Sequence, residues 1–165
     1  TGSWLFEIMS ISDSNLKIIF TNIFDESFDR ETSLEEILQD PESFAPLISG
    51  GYVLVFDGKK VSYPGCCCGL ETIEEWRTSL RYLEGQIWNG HDGEDYYIRF
   101  KDEDDLMKIT IDGKDEYYID MKIYKSIVKK TRITINKFIG KVGPILNEIL
   151  RIENGKTIAR AMIYK

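Results

Sequence analysis

The sequence predicts an α+β fold, with a mainly antiparallel β-sheet, one central helix and a long or kinked C-terminal helical segment. Three observations support this prediction. Asp57-Gly58 and Asp112-Gly113 separate apolar runs and are typical of two-residue hairpin turns, because glycine adopts positive φ without strain. Capping boxes that begin at Ser33 and Thr72 indicate two helix starts. Apolar residues then recur at helical spacing within 123–150.

The N-terminal part predicts a β-hairpin followed by a short helix. Residues 4–11 and 16–24 are rich in β-branched and aromatic types, and the polar residues 12–15 between them are typical of a turn. The capping box of residues 33–36 then begins a helix. This helix ends before Pro41, because the residue that precedes a proline avoids the helical conformation.

The middle of the chain predicts a second hairpin and the central helix. The continuous apolar run 52–56 is suited to a buried strand, and 59–63 follows it after the Asp-Gly turn. The central helix is predicted from apolar residues at helical spacing: Ile73, Trp76, Leu80 and Leu83. Gly85 is its predicted C-cap. Residues 96–100, 106–111 and 116–119 then predict an antiparallel meander.

The C-terminal region predicts mostly helix, with two alternatives left open. The amphipathic pattern is formed by Ile135, Phe138, Ile139, Val142, Ile145, Leu146, Ile149 and Leu150. Gly140, Gly143 and Pro144 predict a kink in this helix or a break into two helices. Residues 131–135 are β-branched enough to form a strand instead, and 158–164 fit either a closing strand or a tail.

Length and composition predict a single domain over residues 1–165 of a cytoplasmic protein. The chain has 165 residues, of which 42% are hydrophobic and 30% charged, as in an ordinary globular protein. No apolar run approaches the roughly 20 residues of a membrane span, so no membrane partner is expected. Three adjacent cysteines, Cys66 to Cys68, are not a disulfide framework and indicate a reducing compartment.

The charge of the chain bears on its partners. The formal net charge is −7, which argues against nucleic acid as a partner, because phosphates are neutralised by clustered Lys and Arg. The same charge favours association with a basic protein. No P-loop, G-x-G-x-x-G or G-x-S-x-G sequence is present, so we expect no enzymatic activity and no cofactor.

The cysteines and the single histidine give an alternative hypothesis. Cys66, Cys68, His91 and Asp92 would form a metal site if their two segments met, although adjacent cysteines chelate poorly. Thiol catalysis would need His91 beside one of the thiols. The simpler interpretation is that the cysteines pack as small apolar residues and that His91 is hydrogen-bonded within a turn.

Carboxylates crowd the region of the predicted meander. They are interpreted either as a solvated face around the turns or as a docking face for a basic partner, with Trp88 as an aromatic anchor. No EF-hand loop is present. The predicted partner-binding residues are Trp88, His91, Asp92, Glu94, Asp95, Asp102, Glu103, Asp104 and Asp105.

Three short stretches resemble a known group of proteins. They are Pro64-Gly65-Cys66-Cys67, Glu75-Trp76, and Trp88 followed by Gly90-His91-Asp92. This pattern covers about residues 52–112 and resembles small bacterial immunity proteins of polymorphic-toxin and contact-dependent growth inhibition systems. In sequences of that kind a proline usually follows Gly-His-Asp, whereas Gly93 follows it here.

The resemblance implies a function and carries over no functional residue. An immunity protein would bind a cognate toxin in the cytoplasm and block the toxin's active site, or another site that the toxin needs. An acidic inhibitor suits a basic nuclease toxin, because its carboxylates stand in for nucleic-acid phosphates and speed association.

Overall fold

The computed structural model describes residues 7–28, 32–48, 50–64, 69–88, 97–111 and 113–164. Contacts within the chain divide it into two compact units. The helical unit comprises Thr1–Leu47 with Thr134–Lys165, and the sheet unit comprises Ile48–Ile133. The boundary falls inside one continuous helix. That the two units fold as a single domain stays a prediction.

The helical unit contains α1 (Asp13–Phe28), α2 (Leu34–Gln39), α3 (Pro41–Phe44), the C-terminal part of α5 (Met121–Leu150), and α6 (Gly155–Tyr164). The predicted N-terminal hairpin is wrong. Leu16, Phe20 and Phe24 are each 1% exposed, and their spacing of four residues puts all three on one line of α1. Burial along that line outweighs the β-propensity of the neighbouring residues.

The polar residues that suggested a turn form the start of α1 instead. The Ser12 hydroxyl accepts the N–H of Asn15 at 3.2 Å, and its carbonyl accepts the N–H of Leu16. A serine suits a turn and a helix N-cap for the same reason, because its side chain bonds nearby backbone groups. The capping box predicted at Ser33 is confirmed: Ser33 and Glu36 form it in full at the start of α2. The box predicted at Thr72 is wrong, because the Thr72 hydroxyl donates to the carbonyl of Gly69 at 3.0 Å and caps no helix N–H.

Residues 131–135 and 158–164 are both helical, and only a short connection at 151–154 separates their two helices, so neither of the two strand alternatives is correct. Helix α5 runs unbroken through Pro144, and the predicted break into two helices is wrong. Val142, Ile145 and Leu146 are buried around the proline, so packing holds the helix where one backbone hydrogen bond is missing. In α6, Ile158 and Met162 are fully buried four residues apart.

The sheet unit contains a hairpin and a four-stranded sheet, both antiparallel, so the α+β prediction is confirmed. The hairpin pairs β1 (Leu54–Phe56) with β2 (Lys59–Ser62). Asp57 and Gly58 both have positive φ, as a type I′ turn requires. The prediction that β1 is buried is wrong, because Val55 is 56% exposed.

The larger sheet has the order β3-β4-β5-β6. Its strands are β3 (Glu84–Trp88), β4 (Tyr97–Glu103), β5 (Leu106–Ile111) and β6 (Asp115–Asp120). The last three strands are the predicted meander. One face of the sheet is apolar and carries the buried side chains Ile87, Ile98, Phe100, Met107, Ile109 and Ile111.

The central helix is shorter than predicted. It consists of α4 (Ile73–Thr78) between two 3₁₀ turns, Leu70–Thr72 and Ser79–Arg81. Trp76 is buried against Tyr124 of α5, with ring centroids 6.5 Å apart. Leu83 is 75% exposed, and Gly85 is a strand residue rather than a C-cap. A Cβ on Gly85 would lie 2.6 Å from Cζ of Phe100, so the missing side chain makes room for this ring.

Asp120 begins α5 as its N-cap. Its carboxylate accepts the N–H groups of Lys122 at 2.8 Å and Ile123 at 3.1 Å. The negative charge also complements the positive end of the helix dipole. Within the described ranges, none of the helices is both long and apolar enough to cross a membrane.

Candidate functional site

Strand β3 forms one edge of the sheet and positions the candidate site. The Leu83 carbonyl accepts the N–H of Asp102 from β4, whereas the N–H of Trp88 points the other way, toward α4. Because backbone groups alternate in direction along an antiparallel strand, Glu84 and Gln86 also direct their N–H and C=O groups away from β4. An edge of this kind is able to pair with a further extended chain.

A groove of about 390 Å³ lies beside this edge. Its lining comes from α4, the following 3₁₀ turn and the edge strand. The lining residues are Glu74, Glu75, Thr78, Ser79, Tyr82, Glu84, Gly85, Gln86 and Phe100. Three of them are glutamates, and Tyr82 is 61% exposed. The groove therefore combines an acidic lining with an accessible aromatic ring.

The three glutamates differ in their partners. Glu74 contacts Arg77, with 2.5 Å between the charged atoms, and Arg132 at 3.4 Å, so its charge is largely balanced. Glu75 and Glu84 have no ion pair within the described residues, and both are exposed. These two carboxylates give the groove its net negative charge.

Glu75 connects the helix to the end of β3. Its Oε2 accepts the backbone N–H of Trp88 at 3.0 Å. Crowding of the carboxylate by the protein raises the pKa of Glu75 above its ordinary value, the bond from Trp88 opposes this effect, and the charge of Glu71 adds to it. The Glu-Trp and Trp-x-Gly-His-Asp stretches of the sequence pattern therefore meet at this hydrogen bond.

The acidic turn between β4 and β5 lies away from Trp88. Trp88 pairs with Tyr97 at one end of β4, and Glu103 pairs with Leu106 at the other. Six residues of strand separate the two ends, which corresponds to roughly 20 Å. The described members of the predicted partner-binding set therefore form two separate groups.

The aspartates of this turn have structural roles of their own. Asp104 and Asp105 both have positive φ, which aspartate tolerates better than most residues. The Asp105 carbonyl accepts the N–H of Met121 at the start of α5 at 2.8 Å. Glu103 pairs with Lys101 at 3.0 Å, and Asp102 is half-buried. Asp104 and Asp105 are the exposed members of this group.

The solvent-facing side of the sheet carries charges of both signs. Lys101 pairs with Glu103, and Lys108 pairs with Glu116 at 2.7 Å. The hydrogen bonds in these pairs raise the pKa of both lysines, and the bond from Lys108 lowers the pKa of Glu116. The charges of these two pairs cancel, so the pairs favour a partner of neither sign.

Several predicted residues lie outside the described ranges. These are Cys66, Cys67, Cys68, His91, Asp92, Glu94 and Asp95. Among the residues that the structure describes, no group of three His, Cys, Asp or Glu side chains could hold a metal ion. The metal-site alternative therefore stays a prediction.

Sequence reasoning did not identify Glu84, Gln86 and Tyr82 as candidate binding residues. Their position depends on β3, and the sequence did not predict this strand because Gly85 suggested the end of a helix. The alternation of Ile87 with polar neighbours was the available signal, but it extends over too few residues to be decisive.

Comparison with known proteins gives no relative. No protein-family model, no curated protein and no solved structure matches this chain. The interpretation of the site therefore depends on its own chemistry and on the sequence pattern.

Proposed function

We propose that this chain is an immunity-type protein that neutralises a cognate bacterial toxin by direct contact. The observation that carries the proposal is the acidic groove beside the open edge of β3. Carboxylates at the rim attract a basic surface, and the edge strand supplies backbone groups that an extended toxin segment could pair with. A basic nuclease toxin suits this chemistry.

The sequence pattern supports the same end of the sheet. Glu75 and Trp88 belong to two different stretches of the pattern, and they are hydrogen-bonded at the groove. Tyr82 adds an exposed aromatic ring of the kind that anchors protein interfaces. We therefore assign toxin binding to the groove and the Trp88 end of β3, rather than to the turn at residues 102–105.

The test uses two matched variants and the toxin domain that the proposal expects to be encoded beside this chain. Glu75→Gln with Glu84→Gln removes two charges at the groove, and Asp104→Asn with Asp105→Asn removes two charges at the turn. Asparagine tolerates the positive φ of the turn, so both variants should fold. We expect the first pair to slow association on the order of tenfold at low salt, and the second pair to leave it near wild type.

The outcomes separate the function from the site. If the wild-type chain neither binds the toxin nor restores growth of cells that express it, the proposed function is wrong. If the chain protects the cells but only the turn variant weakens binding, the function stands and the groove is the wrong site.

A second candidate function is a metal- or thiol-dependent enzyme or sensor that uses the Cys66–Cys68 segment and His91. One observation favours it. Gly69, which directly follows residues 65–68, lies against the carboxylate of Glu71, whose Oε2 is buried without a hydrogen-bond partner in the described part of the chain. Zinc content distinguishes this candidate from the inhibitor.

A further inference from the structure

The first part of α5 carries a charge opposite to that of the whole chain. Residues 121–133 contain four lysines and one arginine but none of the 28 Asp and Glu residues. The chain as a whole has a net charge of −7. A segregated positive segment of this kind indicates attraction to an anionic surface.

The four lysines are available for such an attraction. Lys122, Lys125, Lys129 and Lys130 are all exposed. In the described ranges none of them forms a salt bridge or a side-chain hydrogen bond. Arg132 differs from them, because it is half-buried and contacts Glu74 at 3.4 Å.

Exposed isoleucines lie beside these lysines. Ile123 is 55% exposed and Ile127 is 49% exposed, although both are among the most apolar side chains. Tyr124 and Val128 are buried at 3% and 4%, which fixes the inward side of this part of the helix. The two isoleucines therefore face outward because the helix is held by its other side.

Helical spacing arranges the outward residues in two rows, one on each side of Ser126. Lys122, Lys125 and Lys129 follow one another at intervals of three and four residues and form a cationic row. Ile123, Ile127 and Lys130 form the other row at intervals of four and three. We call this surface the lysine–isoleucine face. It carries cationic and apolar side chains on the same outward half of about two turns of helix.

We propose that the lysine–isoleucine face binds the surface of an anionic phospholipid membrane. Lysines on a helix face are attracted by anionic headgroups without any demand on hydrogen-bond geometry. Transfer of the isoleucine side chains from water to the boundary between headgroups and acyl chains lowers the free energy of the bound state. This contact is peripheral, so the absence of a membrane-spanning run does not argue against it.

Nucleic acid fits this face less well. Phosphate recognition would use the lysines but not the exposed isoleucines, and the face has no aromatic side chain or free arginine on which a base could stack. The combination of cations with apolar side chains therefore favours a lipid surface over a polynucleotide.

The experiment measures sedimentation of the full chain with vesicles of two compositions. One contains phosphatidylcholine alone, and the other contains equal parts of phosphatidylcholine and phosphatidylserine. We expect binding only to the second, with affinity that falls as salt is added. Lys125→Glu with Lys129→Glu should weaken binding roughly 25-fold or more, because each lysine near an anionic surface contributes about fivefold.

Two further variants make the result specific. Lys59→Glu with Lys60→Glu changes the net charge equally at the exposed hairpin β1–β2, and it should weaken binding far less. Ile123→Gln with Ile127→Gln introduces a better helix former and leaves the charge unchanged, and it should reduce binding while the salt dependence remains.

The proposal is wrong if the wild-type chain binds both vesicle compositions with equal affinity. It is also wrong if Lys59→Glu with Lys60→Glu weakens binding as much as Lys125→Glu with Lys129→Glu does. It is also wrong if the isoleucine variant binds phosphatidylserine vesicles as wild type does, since the apolar row would then contribute nothing. Preference for duplex DNA over the anionic vesicles would assign the face to nucleic acid instead.

Discussion

The carboxylate of Glu75 accepts the backbone N–H of Trp88 and joins α4 to the last residue of the edge strand β3. Glu75 is exposed on its outer side, yet the protein surrounds its carboxylate closely enough to raise its pKa. The hydrogen bond from Trp88 favours the ionised form, and crowding together with the charge of Glu71 outweighs it. Partial desolvation therefore makes the ionised form of Glu75 less favourable in the folded protein than in water.

Glu75→Gln should change the pH dependence of stability. In the unfolded chain Glu75 titrates near 4.5, and in the folded chain it titrates at a higher pH. As the pH rises between these two values, the unfolded state releases its proton first, so the folded protein loses stability. Below the window this loss is absent, and above it the loss is constant.

Glutamine retains an oxygen that can accept the N–H of Trp88 and has no charge to desolvate. The free energy of unfolding of Glu75→Gln, minus that of wild type, should therefore grow with pH through the window and then level off. Urea unfolding from about pH 4 to about pH 8 measures this difference. A difference that shrinks as the pH rises would mean that the folded protein prefers the ionised form of Glu75.

Ser79→Ala should destabilise the protein more than Tyr124→Phe does. The two hydroxyls are buried and 2.6 Å apart, and the Ser79 hydroxyl also donates to the carbonyl of Trp76 at 2.7 Å. Removing Ser79 leaves the Tyr124 hydroxyl buried without this partner, which costs roughly 1–3 kcal/mol. Removing the Tyr124 hydroxyl leaves Ser79 bonded to Trp76. Thermal unfolding of both variants checks the order, and equal losses would contradict it.

The hydroxyl pair of Ser79 and Tyr124 also predicts that Tyr124 ionises at an unusually high pH. Burial raises the pKa of Tyr124 to about 12, and the bond with Ser79 opposes this only in part. Because the unfolded chain ionises its tyrosine near 10, the stability from this group is lost as the pH rises from 10 toward 12. Phenolate absorbance should show one late component that Tyr124→Phe removes, and a variant with an unchanged titration curve would contradict the assignment.

Two glycines of the helical unit should respond to alanine in opposite directions. A Cβ on Gly155 would overlap the carbonyl oxygen of Gly143 and lie 2.5 Å from Oδ1 of Asn147, which accepts the Gly155 N–H at 2.6 Å. Gly155→Ala should therefore cost about 1–3 kcal/mol, because α5 and α6 would have to separate. A Cβ on Gly140 meets no atom within 4 Å.

Gly140→Ala is the matched control, because Gly140 lies inside α5 with open space around it. It should stabilise the protein by about 0.5–1 kcal/mol, since alanine restricts the unfolded chain and favours helix. Chemical unfolding of the two variants measures both signs. Destabilisation by both alanines to the same extent would mean that the close approach at Gly155 is not the cause.

Local signals predicted some turns and caps correctly, but the turn predicted at residues 12–15 and the capping box predicted at Thr72 were wrong. Most of the other errors arose where long-range packing decides the structure. Asp57-Gly58 and the box at Ser33 were predicted correctly, because their geometry is determined within four residues. Leu16, Phe20 and Phe24 lie on one helical line, but the β-branched residues between them favour the prediction of a strand. Only burial of that line against other elements selects the helix.

The candidate site shows the same division. The motif stretches with Glu75 and Trp88 were visible in the sequence, whereas the groove required strand β3 and the exposed ring of Tyr82. Strand β3 was not predicted because a glycine after an apolar helical pattern usually ends the helix, and Gly85 was therefore interpreted as a C-cap. Here Gly85 has no side chain, which leaves room for the ring of Phe100 from the next strand. No local sequence pattern predicts this contact.

Zinc content decides between the two candidate functions. If the chain is an inhibitor, elemental analysis of protein purified without chelators should find far less than one equivalent of zinc. Replacing Cys66, Cys67 and Cys68 with serine should then leave protection against the toxin unchanged, because the thiols serve only packing. A stoichiometric metal that the serine variant and the His91→Ala variant both lose would favour the enzyme or sensor, since a site built from these residues needs thiolate and imidazole ligands together. Metal retained by both variants would contradict that alternative as well, because its ligands would have to come from other residues.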